Sequence, residues 1–82
     1  MASKEAVKQL QKITRKQNLV ITREDVKIII GYKGGGYSVY YKTESGRESL
    51  SNEGRAGALK LIDSGIKDPD ATITTQATGY SD

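Results

Sequence analysis

The sequence predicts one small α+β domain: a helix, a three-stranded antiparallel β-meander and a second helix packed on one face, followed by a flexible C-terminal tail. Three observations predict it. Apolar residues recur at helical spacing near the start, alternate with period two on both sides of the glycine run Gly34-Gly35-Gly36, and return to helical spacing between residues 58 and 66. A chain of 82 residues supports a single hydrophobic core.

Ser3 can accept hydrogen bonds from the first-turn N–H groups of a helix, and Glu5 complements its dipole. A helix is therefore predicted from Lys4 to Gln17, with Asn18 suited to ending it. At 100° per residue Ala6, Val7, Leu10 and Ile13 share one side, while Lys4, Lys8, Lys12 and Arg15 gather opposite, with Lys16 at the margin. Leu19-Val20-Ile21-Thr22 is a candidate short extended segment, and Arg23-Glu24-Asp25 is turn-like.

Val26 to Tyr32 is predicted as a strand with Val26, Ile28, Ile30 and Tyr32 on the core face and Lys27, Ile29 and Gly31 on the other. Lys33-Gly34-Gly35-Gly36 turns the chain, because glycine reaches positive φ without steric cost. Tyr37 to Thr43 returns as the next strand, with Tyr37, Val39 and Tyr41 on one face and Ser38, Tyr40 and Lys42 on the other. Glu44-Ser45-Gly46-Arg47 makes a second tight turn into a short third strand, Arg47 to Leu50. Ser51 or Asn52 can cap a second helix running to about Ser64, with Ala58, Leu59, Ile62 and Ile66 as its apolar stripe, Leu61 at the edge and Gly65 as the residue after its end. Gly54 and Gly57 weaken that helix, which points to close packing. Asp68-Pro69-Asp70 breaks the chain direction, so residues 1–68 are expected to form the domain and 69–82 a disordered tail; a strand around Thr72 to Thr75 is the competing reading.

Composition removes much of enzymology. Cysteine, histidine, tryptophan and phenylalanine are absent, which excludes disulfides, thiol chemistry, Cys/His metal sites and a histidine general base. The carboxylates fall mostly in turns or on solvated faces, and Asp68-Pro69-Asp70 lacks the further oxygen ligands and glycine spacing of a calcium loop. Catalysis, a metal and a cofactor are therefore not expected. No apolar run exceeds the three residues of Ile28-Ile29-Ile30, and no export-type apolar segment follows the lysine-rich start, so the expectation is a cytoplasmic protein without a membrane partner.

The net charge is only +3, yet it is unevenly placed: residues 1–42 carry nine basic and three acidic side chains, residues 43–82 four and seven. A basic first half attracts polyanions if its helix and hairpin share a surface. Lysines and tyrosines interleave through the hairpin, a pairing that stacks bases and neutralises phosphates, although Tyr32, Tyr37 and Tyr41 are also the aromatics a core without phenylalanine would use. The glycine run joins two strands rather than strand to helix and lacks a Gly-Lys-Ser/Thr ending, so it reads as a hairpin tip and not as a phosphate loop. Arg55 falls within the apolar stripe of the second helix and is free to snorkel, pair with Glu48 or meet a phosphate.

The order helix, three antiparallel strands, helix resembles the double-stranded-RNA-binding domain from Ser3 to Gly65, with Gly46 to Leu61 in the place of that family's third strand and second helix. That resemblance implies RNA as ligand. The family's second helix opens with clustered lysines, whereas Asn52-Glu53-Gly54-Arg55-Ala56-Gly57 offers one base and one acid. The order is also similar to small phage-encoded inhibitors, anti-CRISPR proteins among them, which implies a protein partner. The expectation is thus a non-enzymatic module that contacts nucleic acid through Lys4, Lys8, Lys12, Arg15, Lys16, Lys27, Lys33, Tyr40 and Lys42. The alternative is a protein-interaction or inhibitory module docking through Gly34, Gly35, Gly36 and Tyr40. Either a monomer or a dimer paired through an exposed strand edge fits.

Overall fold

The computed structural model describes residues 3–34, 36–43, 45–46 and 48–78. Its elements are α1 (Lys4–Gln11), β1 (Gln17–Arg23), β2 (Val26–Lys33), β3 (Gly36–Thr43), β4 (Glu48–Glu53), α2 (Arg55–Lys67) and β5 (Ala71–Ala77). All five strands join one antiparallel sheet in the order β4-β3-β2-β1-β5. The class is α+β as expected, and the predicted meander is β2-β3-β4.

Two further strands enlarge the sheet. The candidate extended segment at Leu19-Val20-Ile21-Thr22 is the middle of β1, held between β2 and β5. Residues 71–77, expected in the tail, pair with β1 along its whole length, from Arg23 opposite Ala71 to Gln17 opposite Ala77. The β-branched run Thr72-Ile73-Thr74-Thr75 suits that pleated edge, and Ile73 lies opposite Ile21 and packs on the core. Just beyond, the Thr78 N–H donates to the Lys16 carbonyl and its hydroxyl to the Arg15 carbonyl. Residues 79–82 of the expected tail lie outside the described residues.

The helices are also shifted from expectation. The Ser3 side chain accepts from the Ala6 N–H and starts α1 as predicted. The helix stops at Gln11 rather than Gln17, because Ile13 turns into the core beside Leu10 and β-branched Ile13 and Thr14 are weak helix formers. Asn18 accordingly sits within β1 and ends no helix. Ser51 and Asn52 lie within β4 rather than at the helix start, since the ladder with β3 keeps the chain extended as far as Glu53, opposite Tyr37. Gly54 is the N-cap of α2, without a side-chain hydrogen bond. At its other end α2 runs on to Lys67, which places Gly65 inside the helix.

The core lies between the two helices and one face of the sheet. Leu19, Ile21, Ile30 and Val39 from the strands meet Ala6, Leu10 and Ile13 near α1 and Ala58 and Ile62 from α2, with Ile28, Tyr37, Tyr41 and Ile73 packed around them. The register puts Glu53 and Ala77 at one end of the sheet and Glu48 and Ala71 at the other, so β4 and β5 run parallel on opposite edges. A parallel pair needs a crossover, and α2, 13 residues or about 20 Å long, supplies it diagonally over the core face. Close approach is needed where it lands. A Cβ on Gly65 would lie 3.0 Å from Ile21 Cγ2 and 3.3 Å from Ile21 Cδ1.

Turns follow their chemistry. Asp68 accepts from the Asp70 N–H at 2.9 Å and meets Arg23 Nη1 at 3.3 Å, fixing the turn into β5. Gly34 at φ +56° and Gly46 at φ +84° serve the two later hairpins. Glu24, at φ +52°, occupies the left-handed region without being glycine.

Two substitutions test this packing. Gly65→Ala is expected to be nearly neutral, because helix propensity gains about 1 kcal/mol against a slight clash, whereas Gly65→Val is expected to cost about 1–3 kcal/mol in urea denaturation. Glu24→Gly should raise stability by roughly 0.5–1 kcal/mol, relief of left-handed strain exceeding the added chain entropy; an unchanged or lower midpoint would contradict the assigned backbone.

Candidate functional site

The expected cationic surface is divided by the sheet. Lys4, Lys8 and Lys12 are exposed on or just after α1, whose other side carries Ala6 and Leu10 into the core, so these ammonium groups face away from the strands. Lys27, Lys33, Tyr40 and Lys42 stand on the alternate positions of β2 and β3 from Ile28, Ile30, Val39 and Tyr41, and therefore project from the face opposite both helices. The two sets do not form one continuous surface. A helix that buries its apolar stripe against one sheet face must turn its charged stripe away from the other. Arg15 and Lys16 occupy the exposed turn between the layers, next to Thr78.

On the uncovered face, cross-strand pairing builds two rows of interest. One runs Thr74, Val20, Ile29, Tyr40, Leu50 from the β5 edge to the β4 edge. From Val20 toward β4 exposure rises, from 5% at Val20 to 41% at Tyr40 and 53% at Leu50. The neighbouring row is polar and small: Gln76, Asn18, Gly31, Ser38. Where the rows meet the hairpin end, a hollow of about 430 Å³ opens, lined by Asn18, Ile29, Gly31, Ser38, Tyr40 and Lys33, with Tyr32 and Thr78 at its margin. At the far end Lys27 lies opposite Lys42, and Lys42 Nζ is 3.5 Å from Glu48 Oε1. Both partners are solvent-exposed, so this pair is weak.

Tyr32, Tyr37 and Tyr41 belong to the core side. Tyr32 and Tyr37 meet edge to face, ring centroids 5.7 Å apart, and Tyr41 is half-buried, its phenol pushed up by burial and by the Glu53 charge. The glycine hairpin closes on the pair Lys33–Gly36, with Gly34 exposed at its tip; Gly35 lies outside the described residues. A shallower hollow of about 460 Å³ flanks that tip, bounded by Gly34, Gly36, Tyr37, Leu50 and Glu53 among others. Arg55 is exposed at the first position of α2.

Sequence reasoning placed Lys27, Tyr40 and Lys42 on the face opposite the core, and Lys33, read as part of the turn, ends β2 on that same face. That reasoning passed over Asn18, Ile29, Gly31, Ser38 and Leu50, which complete the surface. The signal was present in the alternation, since Ile29 and Gly31 share a side with Lys27, and Ser38 shares one with Tyr40. Asn18 was hidden by its assignment as a helix end. Among the described residues no group of three or more His, Cys, Asp or Glu side chains could hold a metal ion, and no helix is long and apolar enough to cross a membrane.

One acid is buried. Asp63 on α2 sits beside the start of α1, where the Ser3 side chain and then Lys67, whose Nζ is 3.1 Å from Oδ2, hold its carboxyl below the usual 3.8. The Ser3 effect is close electrostatic approach more than a closed hydrogen bond, because Oδ1 is buried without a hydrogen-bond partner among the described residues. The carboxylate also faces the positive end of the α1 dipole. With the native pKa the lower one, its stabilisation is complete above the usual value and is lost as pH falls through 3.8 toward the native value. Asp63→Asn is expected to lower Tm at neutral pH and to flatten the fall of Tm between about pH 5 and pH 2; superimposable acid limbs would remove Asp63 from this role.

Neither a protein-family model, nor a curated protein, nor a solved structure matches this chain.

Proposed function

We propose that the chain is a non-enzymatic binding module that takes single-stranded nucleic acid on the uncovered face of its sheet, with Tyr40 as the stacking group and Lys27, Lys33 and Lys42 set against phosphates. The observation that carries this reading is an exposed tyrosine, 41% accessible, projecting among three lysines from a face that neither helix packs against. An aromatic face stacks any base, and ammonium groups along the same surface release counterions from the backbone. Grip on a duplex in the manner of the double-stranded-RNA-binding domain is disfavoured. The start of α2 holds Arg55, Ala56 and Gly57 in place of clustered lysines, and the α1 cations face the other way. Those α1 lysines contribute to the long-range field and to no contact on this face.

A second reading rests on Leu50, 53% exposed on the edge strand β4 beside the glycine tip. In that case a protein partner docks over Leu50, Tyr40, Gly34 and Gly36, or a second copy pairs along an edge strand.

Fluorescence anisotropy with labelled single-stranded oligonucleotides separates them. With two or three phosphates contacted, affinity is expected to fall roughly tenfold between about 50 and 200 mM salt. Reversal of Lys27 and Lys33 to Glu should abolish binding, whereas Lys4→Glu, Lys8→Glu and Lys12→Glu together should leave the salt slope unchanged, since the slope counts contacted phosphates. No binding at about 50 mM salt, or a slope flattened by the α1 reversals, would overturn the proposal.

A further inference from the structure

We infer that the hollow over Gly31 is a nucleobase subsite, with Asn18 and Ser38 reading the edge of the base and Tyr40 covering its face. This inference rests on the reading of the uncovered face as a nucleic-acid interface and names the chemical group that the face selects. The volume, about 430 Å³, falls in the range of roughly 300–1,000 Å³ typical of small-ligand sites.

The floor is polar. Asn18, Gly31 and Ser38 lie side by side on β1, β2 and β3. A Cβ on Gly31 would strike Asn18 Oδ1, so glycine at this position is what lets the Asn18 amide lie across the strand. Ser38 is only 7% exposed, on the sheet face that both helices leave open. Among the described residues neither the Asn18 amide nor the Ser38 hydroxyl makes a side-chain hydrogen bond. These groups stay within reach of water, since Asn18 and Ser38 are not among the sealed, partnerless side-chain atoms of the described residues, so a ligand edge placed here exchanges water contacts for its own.

The walls narrow the chemistry. An amide presents a donor and an acceptor side by side, which complements a heterocycle with adjacent acceptor and donor positions. Tyr40 and Ile29 supply flat apolar surface beside that floor, and Lys33 stands at the rim where a phosphate attached to the base would lie. A purely apolar ligand would leave the floor unpaired, and a bare phosphate would leave Tyr40 and Ile29 unused. A base carrying phosphate satisfies all three.

Such a base has two sources, a free mononucleotide or a residue of a single strand. The test titrates three probes into the 15N-labelled protein: a mononucleotide, a short oligonucleotide, and an abasic oligonucleotide of the same length and charge. The subsite predicts shifts of the Gly31 and Ser38 amides and of the Asn18 side-chain amide with both base-containing probes. It also predicts a loss of about 5- to 150-fold in affinity for the abasic strand. A mononucleotide that binds as tightly as the oligonucleotide assigns the free nucleotide as ligand; much weaker binding with the same shifts assigns the single strand. Asn18→Ala, which leaves the backbone ladder in place, should weaken the base-containing strand and leave the abasic strand unaffected. Gly31→Ala should do the same, provided that its thermal melt shows it folded. Equal affinity for normal and abasic strands, or shifts confined to Lys27 and Lys42, overturns the subsite while leaving phosphate binding by this face intact. Failure of every probe at about 50 mM salt overturns both readings.

Discussion

The diagonal crossover of α2 is the constraint on which the rest depends. β4 and β5 run parallel on opposite edges, and the helix between them has to traverse the sheet while burying Ala58 and Ile62 on Leu19, Ile21, Ile30 and Val39. Gly65 lets the last turns of α2 approach Ile21 and Ile73 closely as the helix reaches the β5 edge. α1, packed beside it and tied through Ser3 and Asp63, fills the remaining core side. With both helices committed to one face, the other is left for recognition.

The elements with strong periodicity were legible in the sequence. β2, β3 and the stripe of α2 were readable because each is half-buried, and half-burial writes itself as alternation or as helical spacing. β1 was harder for the opposite reason: in the sheet interior it carries Leu19 and Ile21 to the core and a 5% exposed Val20 to the other face, so three consecutive apolar residues show no period. β4 and β5 are edge strands. Their composition, Glu-Ser-Leu-Ser-Asn-Glu and Ala-Thr-Ile-Thr-Thr-Gln-Ala, carries little apolar signal because even their core-side positions are marginal: β5 brings Ala71 and Ile73 against the core, and β4 has Ser49, Ser51 and Glu53 on that side. The excess length predicted for the first helix is a case of tertiary demand overriding propensity, with Ile13 serving the core and not a further turn.

The candidate site shows where counting charge along a chain misleads. The basic first half contributes cations both to α1 and to the β2–β3 hairpin, but these elements lie on opposite sides of the sheet, so an excess continuous in sequence is split in space. Sidedness within each strand was readable; the face on which the helix would settle followed from it, because an apolar stripe can bury only against the apolar side. Asn18, Gly31 and Ser38 come together only through register across three strands, and no local pattern in the sequence announces that juxtaposition.

Placing β1 between its hairpin partner and the final strand makes the order of synthesis matter. Until residue 77 has left the ribosome, β1 is itself an open edge, with Leu19, Val20 and Ile21 on a strand that one missing neighbour would protect. A chain cut before β5 therefore leaves Leu19, Val20 and Ile21, consecutive buried residues of β1, on an open edge, and such a product is prone to self-association rather than being a smaller working domain.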